Sequence, residues 1–196
     1  MIMAPAIRST ARDDRDVESL KGHLLVAGPG LIDPNFWRSV VLVGEHNEEG
    51  ALGVVLNRPA PVAVGDAVPA LADLVRDGEP VFFGGPVQPD GAVVLVDVEH
   101  PDFAGLIVFG TIGFLMGEVE EAQLDGIRRG RVFAGYAGWG AGQLEEEMES
   151  GSWIAEPALP GDVFTERPEK LWSEVLLRKG GDYAILSTMP PDPSLN

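Results

Sequence analysis

A chain of 196 residues, 45% hydrophobic and without cysteine, has enough apolar content for one core and excludes disulfides, thiolate catalysis and cysteine-ligated zinc. Its 14 Lys and Arg stand against 31 Asp and Glu, a net charge of −17. That charge falls wholly within residues 22–196, since basic and acidic residues cancel over 1–21. Such a surface repels phosphate backbones and anionic lipid heads at long range, and no apolar run approaches the roughly 20 residues needed to span a bilayer.

Residues 1–20 mix Arg and Asp and lack the apolar stretch of a secretory signal, so they read as a flexible tail before a single domain over 21–190. Residues 23–27 form the first expected strand, closed by Gly28-Pro29-Gly30. Apolar, β-branched runs at 39–43 and 51–56 flank Glu45-His46-Asn47-Glu48-Glu49-Gly50, which suits a hairpin-like connection. A helix is expected over 66–76, with Pro69 in its first turn. Strands follow at 80–83, 92–96 and 105–109, then a helix over 117–129 and a strand at 131–136. Further helices are expected over 142–150 and 168–179. The second opens with Pro168, spaces Leu171, Trp172, Val175 and Leu176 on one face, and stops at Gly180-Gly181. A last strand is expected at 183–187, and the proline-broken end 191–196 reads as flexible. The strands are nearly continuous in apolar character, as expected for burial on both faces. Strands and helices do not alternate regularly, which places the chain in the α+β class.

Four polar motifs stand among these strands. Gly22-His23-Leu24-Leu25-Val26-Ala27 with Pro29, Asp33-Pro34, Phe36 and Arg38-Ser39-Val40 resembles the opening of the YqgE/AlgH family. Glu45-His46-Asn47 with Gly50-Ala51-Leu52-Gly53 and Asn57-Arg58-Pro59, then Gly84-Gly85-Pro86-Val87 with Asp90, are similar to its second and third signatures. Gly135-Tyr136-Ala137-Gly138-Trp139 with Gly142-Gln143-Leu144-Glu145 and Trp153 resembles the fourth. The resemblance runs from about residue 21 to 189 and implies a bifurcated, mostly antiparallel sheet, partly curled into a small barrel and flanked by helices. It brings with it no enzyme activity and no cofactor. The AlgH name reflects a regulatory role proposed in alginate synthesis, so the resemblance also implies a bacterial, cytoplasmic protein carrying a transcriptional-regulator label. Several members carry cysteine just before the Glu-His pair; here Gly44 stands there, so a thiol redox role cannot operate.

Asp33 reads first as a turn lock and Arg38 as its companion or as an anion-binding fork. His46 beside Glu45 is the most chemical-looking residue, yet His23, His46 and His100 show no metal-ligand spacing, so a structural hydrogen-bonding role is favoured and no metal site is expected. Asn57 and Arg58 end a strand, Arg58 being the preferred partner for an acidic group. If Asp33, Arg38, His46, Asn57 and Arg58 meet, they make one polar strand-end pocket for ligand. The glycines of 135–142 are interrupted by Trp139 and followed by Glu145-Glu146-Glu147, which disfavours a dinucleotide loop. Gly84-Gly85-Pro86-Val87 reads as a tight turn in preference to an anion nest. Arg128-Arg129-Gly130-Arg131 is the one basic cluster and a weak basis for DNA contact. The reading leans against an enzyme and towards a binding or regulatory protein acting through a protein partner or small ligand. Its alternatives are a hydrolase or transferase centred on His46 and a regulator that touches DNA weakly or indirectly.

Overall fold

The computed structural model describes residues 19–116 and 124–190. Ten strands among these residues form one sheet with the order β10-β1-β2-β3-β9-β6-β8-β7. β1 (His23–Ala27), β2 (Val40–Asn47) and β3 (Gly50–Val55) are consecutive antiparallel neighbours, and β10 (Trp153–Pro157) pairs the outer side of β1. β9 (Ile127–Gly140) is the spine of the sheet. Its far end pairs with β3 at 137–140, while residues 133–134 pair in parallel with β5 (Pro80–Phe83), itself bonded to β4 (Pro59–Ala63). Along its other edge β9 pairs with β6 (Val87–Val98), which leads to β8 (Ile112–Phe114) and β7 (Leu106–Phe109).

The expected bifurcated, mostly antiparallel α+β sheet is therefore present, forking where β3 and β5 share one edge of β9. No pairing among the described residues closes it into the small barrel, so that detail is corrected. The Gly84-Gly85 motif explains the fork. Gly84 N–H donates to Ala134 O at 2.8 Å and Gly84 O accepts from Val55 N–H at 2.9 Å, stitching both branches together. A Cβ on Gly84 would collide with the Gly135 carbonyl, so glycine is required by the close backbone approach.

Alternation of side chains across the pleat divides the core. Leu24, Val26, Val40, Leu42 and Val54 face one layer, where they meet helix α4 (Pro168–Lys179) through Leu171, Trp172, Val175 and Leu176. Each large aliphatic side chain buried there contributes about 1.5–3 kcal/mol. Leu25, Ala27, Val41, Val43 and Val55 face the opposite layer, under Trp139, Trp153 and Leu144 of helix α2 (Gln143–Glu149). A third cluster gathers Val94, Val96, Val98 and Val132 beneath Val64 and Leu74.

Several expectations change. Residues 66–76 do not make one helix: a single turn α1 (Val64–Ala67) is followed by a 3-10 segment Pro69–Leu74. Pro69 has no N–H and forces Val68 out of helical geometry, at φ −140 and ψ 74. The glycines of 135–140 are strand residues, so the dinucleotide reading loses its loop. Residues 183–187 do not form a strand; α5 (Asp182–Leu186) is a helical turn that follows Gly180 and Gly181, both at positive φ. The strand regions β4, β8 and β10 and the short helix α3 (Pro160–Val163) were not expected. Of the helix expected at 117–129, residues 117–123 lie outside the described residues and 127–129 begin β9. The tails 1–18 and 191–196 also lie outside them.

Candidate ligand-binding site

Between β1 and β2 the chain turns on Asp33. Its Oδ1 accepts Asn35 N–H at 2.7 Å, and its carbonyl accepts the N–H groups of Phe36 and Trp37 at 3.0 and 2.7 Å. That is the expected turn lock, and it leaves the carboxylate committed to the backbone. The turn delivers Trp37, 40% exposed, and Arg38, whose φ of 54 lies in the left-handed region uncommon for a residue with a Cβ. Asn57, just past β3, holds this backbone in place. Its Nδ2 donates to Arg38 O and its Oδ1 accepts Val40 N–H, both at 2.9 Å.

Arg38 and Arg58 then converge from adjacent strand ends. Arg58 Nη2 donates to Trp37 O at 2.6 Å, and its buried Nε has no partner among the described residues. Arg38 Nη2 donates to Met189 O at 2.8 Å, and its guanidinium lies 4.1 Å from the centre of the Trp172 ring and 5.6 Å from that of Trp37. Trp172 is fixed beneath it by an indole N–H bond to Ala27 O at 2.9 Å. With Asn57, these side chains line a cleft of about 400 Å³. Glu169 and Ser173 of α4 and Ser187 and Met189 beyond α5 complete the lining.

The electrostatics of the two arginines set them apart. Of the eight arginines among the described residues, six have a carboxylate oxygen within 4.0 Å. Arg38 and Arg58 have none among the described residues. Partial burial pushes both guanidiniums below the usual arginine range, and no carboxylate offsets it. They remain cationic and, among the described residues, stand as unneutralised donors in a protein of net charge −17.

The sequence-derived pocket is thus half assembled. Arg38, Asn57 and Arg58 meet; Asp33 belongs to the preceding turn, and His46 lies elsewhere. His46 is six positions along β2 from its first residue, about 20 Å at the rise of a strand, near the opposite, closed end of the β2–β3 hairpin. There its Nδ1 accepts Leu20 N–H at 3.0 Å, which assigns the proton to Nε2, and Nε2 donates to Glu145 Oε1 at 2.8 Å. With its side chain 2% exposed, His46 fastens residues 19–21 to β2 and α2. Gly44 beside it faces the Phe114 ring, with which any Cβ would collide.

Sequence reasoning missed Trp37, Trp172, Glu169, Ser173, Ser187 and Met189 as cleft residues. Trp172 carried the signal of a core-facing helical position, which it also is. The basic cluster disperses: Arg128 and Arg129 reach Asp97 at 3.0 and 3.9 Å, while Arg131, 2% exposed, is bonded to Glu79 at 3.0 Å and to two backbone carbonyls. Among the described residues no three His, Asp or Glu side chains gather to hold a metal ion. No helix there is long and apolar enough to cross a membrane.

Comparison with known proteins places this geometry in a family. The profile of the AlgH-like family matches residues 24–184. A UPF0301 protein of Streptomyces coelicolor is 49% identical over 188 residues, covering 92% of this chain and 97% of its own. A UPF0301 protein of Chlorobaculum tepidum is 39% identical over 193 residues, covering 92% and 98%. The crystal structure of a protein from Corynebacterium diphtheriae superposes with a TM-score of 0.77 at 28% identity, over 92% of this chain and 95% of that one. The solution structure of the AlgH protein from Pseudomonas aeruginosa gives 0.65 at 29% identity, over 92% and 100%. The four motifs, the forked sheet and these matches agree: the chain belongs to the AlgH-like family.

Proposed function

We propose that this protein is a non-enzymatic binding protein that exerts a regulatory effect by holding a small ligand, or a segment of a protein partner, in the Arg38–Arg58 cleft. One observation carries the reading: the two described arginines without a carboxylate within 4.0 Å line the same cleft. A folded acidic protein in which two partly desolvated cations have no carboxylate partner among the described residues, where every other described arginine is paired, has the makings of a recognition site. Support also comes from the strained backbone of Arg38, a type of feature that concentrates at ligand clamps. The His46-centred hydrolase or transferase gains nothing from the geometry, since both ring nitrogens are occupied by structural partners. Direct DNA binding gains nothing either, because the basic cluster is paired with Asp97 and Glu79. The cytoplasm is the site of action in this proposal.

Native mass spectrometry of the protein from lysate, compared with an Arg38→Gln/Arg58→Gln variant of unchanged circular dichroism, tests the reading. A bound mass carried by the wild type and missing from the variant is expected. Identical spectra for both, or turnover of a metabolite that needs His46, would remove it.

A further inference from the structure

The donors left open in the cleft narrow its occupant, granted the binding reading above. Arg38 commits Nη2 to Met189 O, leaving Nη1 and Nε without a hydrogen-bond partner among the described residues. Arg58 commits Nη2 to Trp37 O, leaving Nη1 without a hydrogen-bond partner among the described residues, while its Nε is buried away from the cleft. The open Nη1 group of each guanidinium, with its delocalised positive charge, suits an oxygen of a carboxylate or phosphate. Both guanidiniums are preorganised, Arg38 by stacking on Trp172 and by the Asn57 clamp on its backbone and Arg58 by its bond to Trp37 O, so little side-chain freedom is lost on binding.

Charge sets an upper limit on the ligand. The field of a −17 protein repels each further negative charge, while the cleft offers two guanidiniums to offset it. A polyanion adds repulsion without finding a third arginine among the described residues of the cleft. Glu169 in the cleft lining also repels a second anionic group, whereas the Ser173 and Ser187 hydroxyls, which donate to Lys170 O and Ala184 O, keep lone pairs able to accept a hydrogen bond. We propose that the cleft binds a small molecule with a single oxyanion group, carboxylate or phosphate monoester, held by Arg38 and Arg58, and with a hydroxyl or ammonium directed at Glu169 and the serines.

Isothermal titration calorimetry with the full chain tests this, using L-serine as the amino-carboxylate probe, glycerol 3-phosphate as the phosphate probe and a single-stranded oligodeoxynucleotide as the polyanion. Saturable one-to-one binding of at least one small probe is expected, and which of the two binds distinguishes the oxyanion. Arg38→Gln and Arg58→Gln should each weaken it about tenfold or more, as loss of a charge-assisted hydrogen bond implies. Arg38→Lys, which keeps the charge and loses the planar guanidinium stacked on Trp172, should also weaken it, and Arg128→Gln should leave it unchanged. Melting curves show whether each variant is folded; where one glutamine variant does not fold, the other two cleft variants carry the comparison. The proposal is overturned if neither small probe binds at about 10 mM, far weaker than ordinary ligand affinities, if binding persists in the folded cleft variants, or if the oligonucleotide binds more tightly. Should the small probes fail while native spectra still show an arginine-dependent mass, the ligand class is wrong and the binding reading stands. Should that mass be missing too, both fall.

Discussion

Replacing Asn57 by alanine removes two hydrogen bonds from one side chain, and the structure allows their loss to be weighed separately. Val40 is fully buried, and its N–H points at Asn57 Oδ1 at 2.9 Å. Without that acceptor a buried donor is stranded, at a cost of about 1–3 kcal/mol. Arg38 O, the acceptor of Nδ2, lies at the partly exposed rim and can be rehydrated, so its loss is nearer about 0.5–1 kcal/mol. Release of the clamp also frees Arg38 to leave its positive φ, which returns some of the strain. The expected net destabilisation is about 1.5–3.5 kcal/mol, read from urea unfolding followed by circular dichroism, with an unchanged denaturant slope. Asn57→Asp keeps the acceptor for Val40 and loses only the donor, so it should fall well short of the alanine variant. A loss below about 0.5 kcal/mol for Asn57→Ala, within the range of ordinary surface changes, would refute the clamp.

Other elements give separate outcomes. Glu147 collects the indole N–H groups of Trp139 and Trp153 on Oε2 at 2.9 and 2.7 Å, and Gln143 Nε2 on Oε1 at 2.8 Å. Glu147→Ala should cost about 2–5 kcal/mol by leaving two largely buried indoles unpaired and should change the tryptophan emission spectrum. His46→Ala should speed amide exchange at Leu20, whose N–H loses its acceptor, while leaving ligand binding at the cleft intact. At Glu166, the hydrogen bond from Arg76 holds the carboxyl below the usual carboxylate range. A depressed carboxyl stabilises the fold above its unfolded pKa and loses that contribution as pH falls through the folded value. Carbon-detected NMR titration should show protonation of Glu166 moving upward in Arg76→Ala; an unmoved midpoint would contradict the pairing.

How much of this was readable from the chain depended on whether the deciding contacts were local. β1 and α4 were expected at 23–27 and 168–179 and are found at those bounds, because Gly28-Pro29-Gly30, Pro168 and Gly180-Gly181 mark their ends within the chain itself. Residues 183–187 misled because five residues of Tyr-Ala-Ile-Leu-Ser suit a strand or a helical turn, and packing against α4 decides between them. The glycines of 135–140 looked like a loop, but the partners that make them a strand, β3 and β6, lie 40 or more residues upstream. At the site, the meeting of Arg38 with Asn57 and Arg58 follows from the β2–β3 hairpin register, Val41 opposite Val55. The same register separates His46 from them, since it pairs with Ala51 close to the turn. Met189 and Trp172 gave no warning. They reach Arg38 across more than 130 residues, and no local pattern encodes that approach.

The reading as a binding protein stands on two guanidiniums being open to ligand while the other described arginines are held. Side-chain Nε–Hε correlation spectra of the uniformly nitrogen-15-labelled protein, with arginine signals assigned by single substitution, report on this directly. On adding the oxyanion that binds, the signals of Arg38 and Arg58 should move together along one saturation curve, while those of Arg76, Arg128, Arg131 and Arg178 stay in place. Movement of the Arg128 or Arg129 signals with Arg38 and Arg58 unchanged would contradict the account and return attention to the basic end of β9.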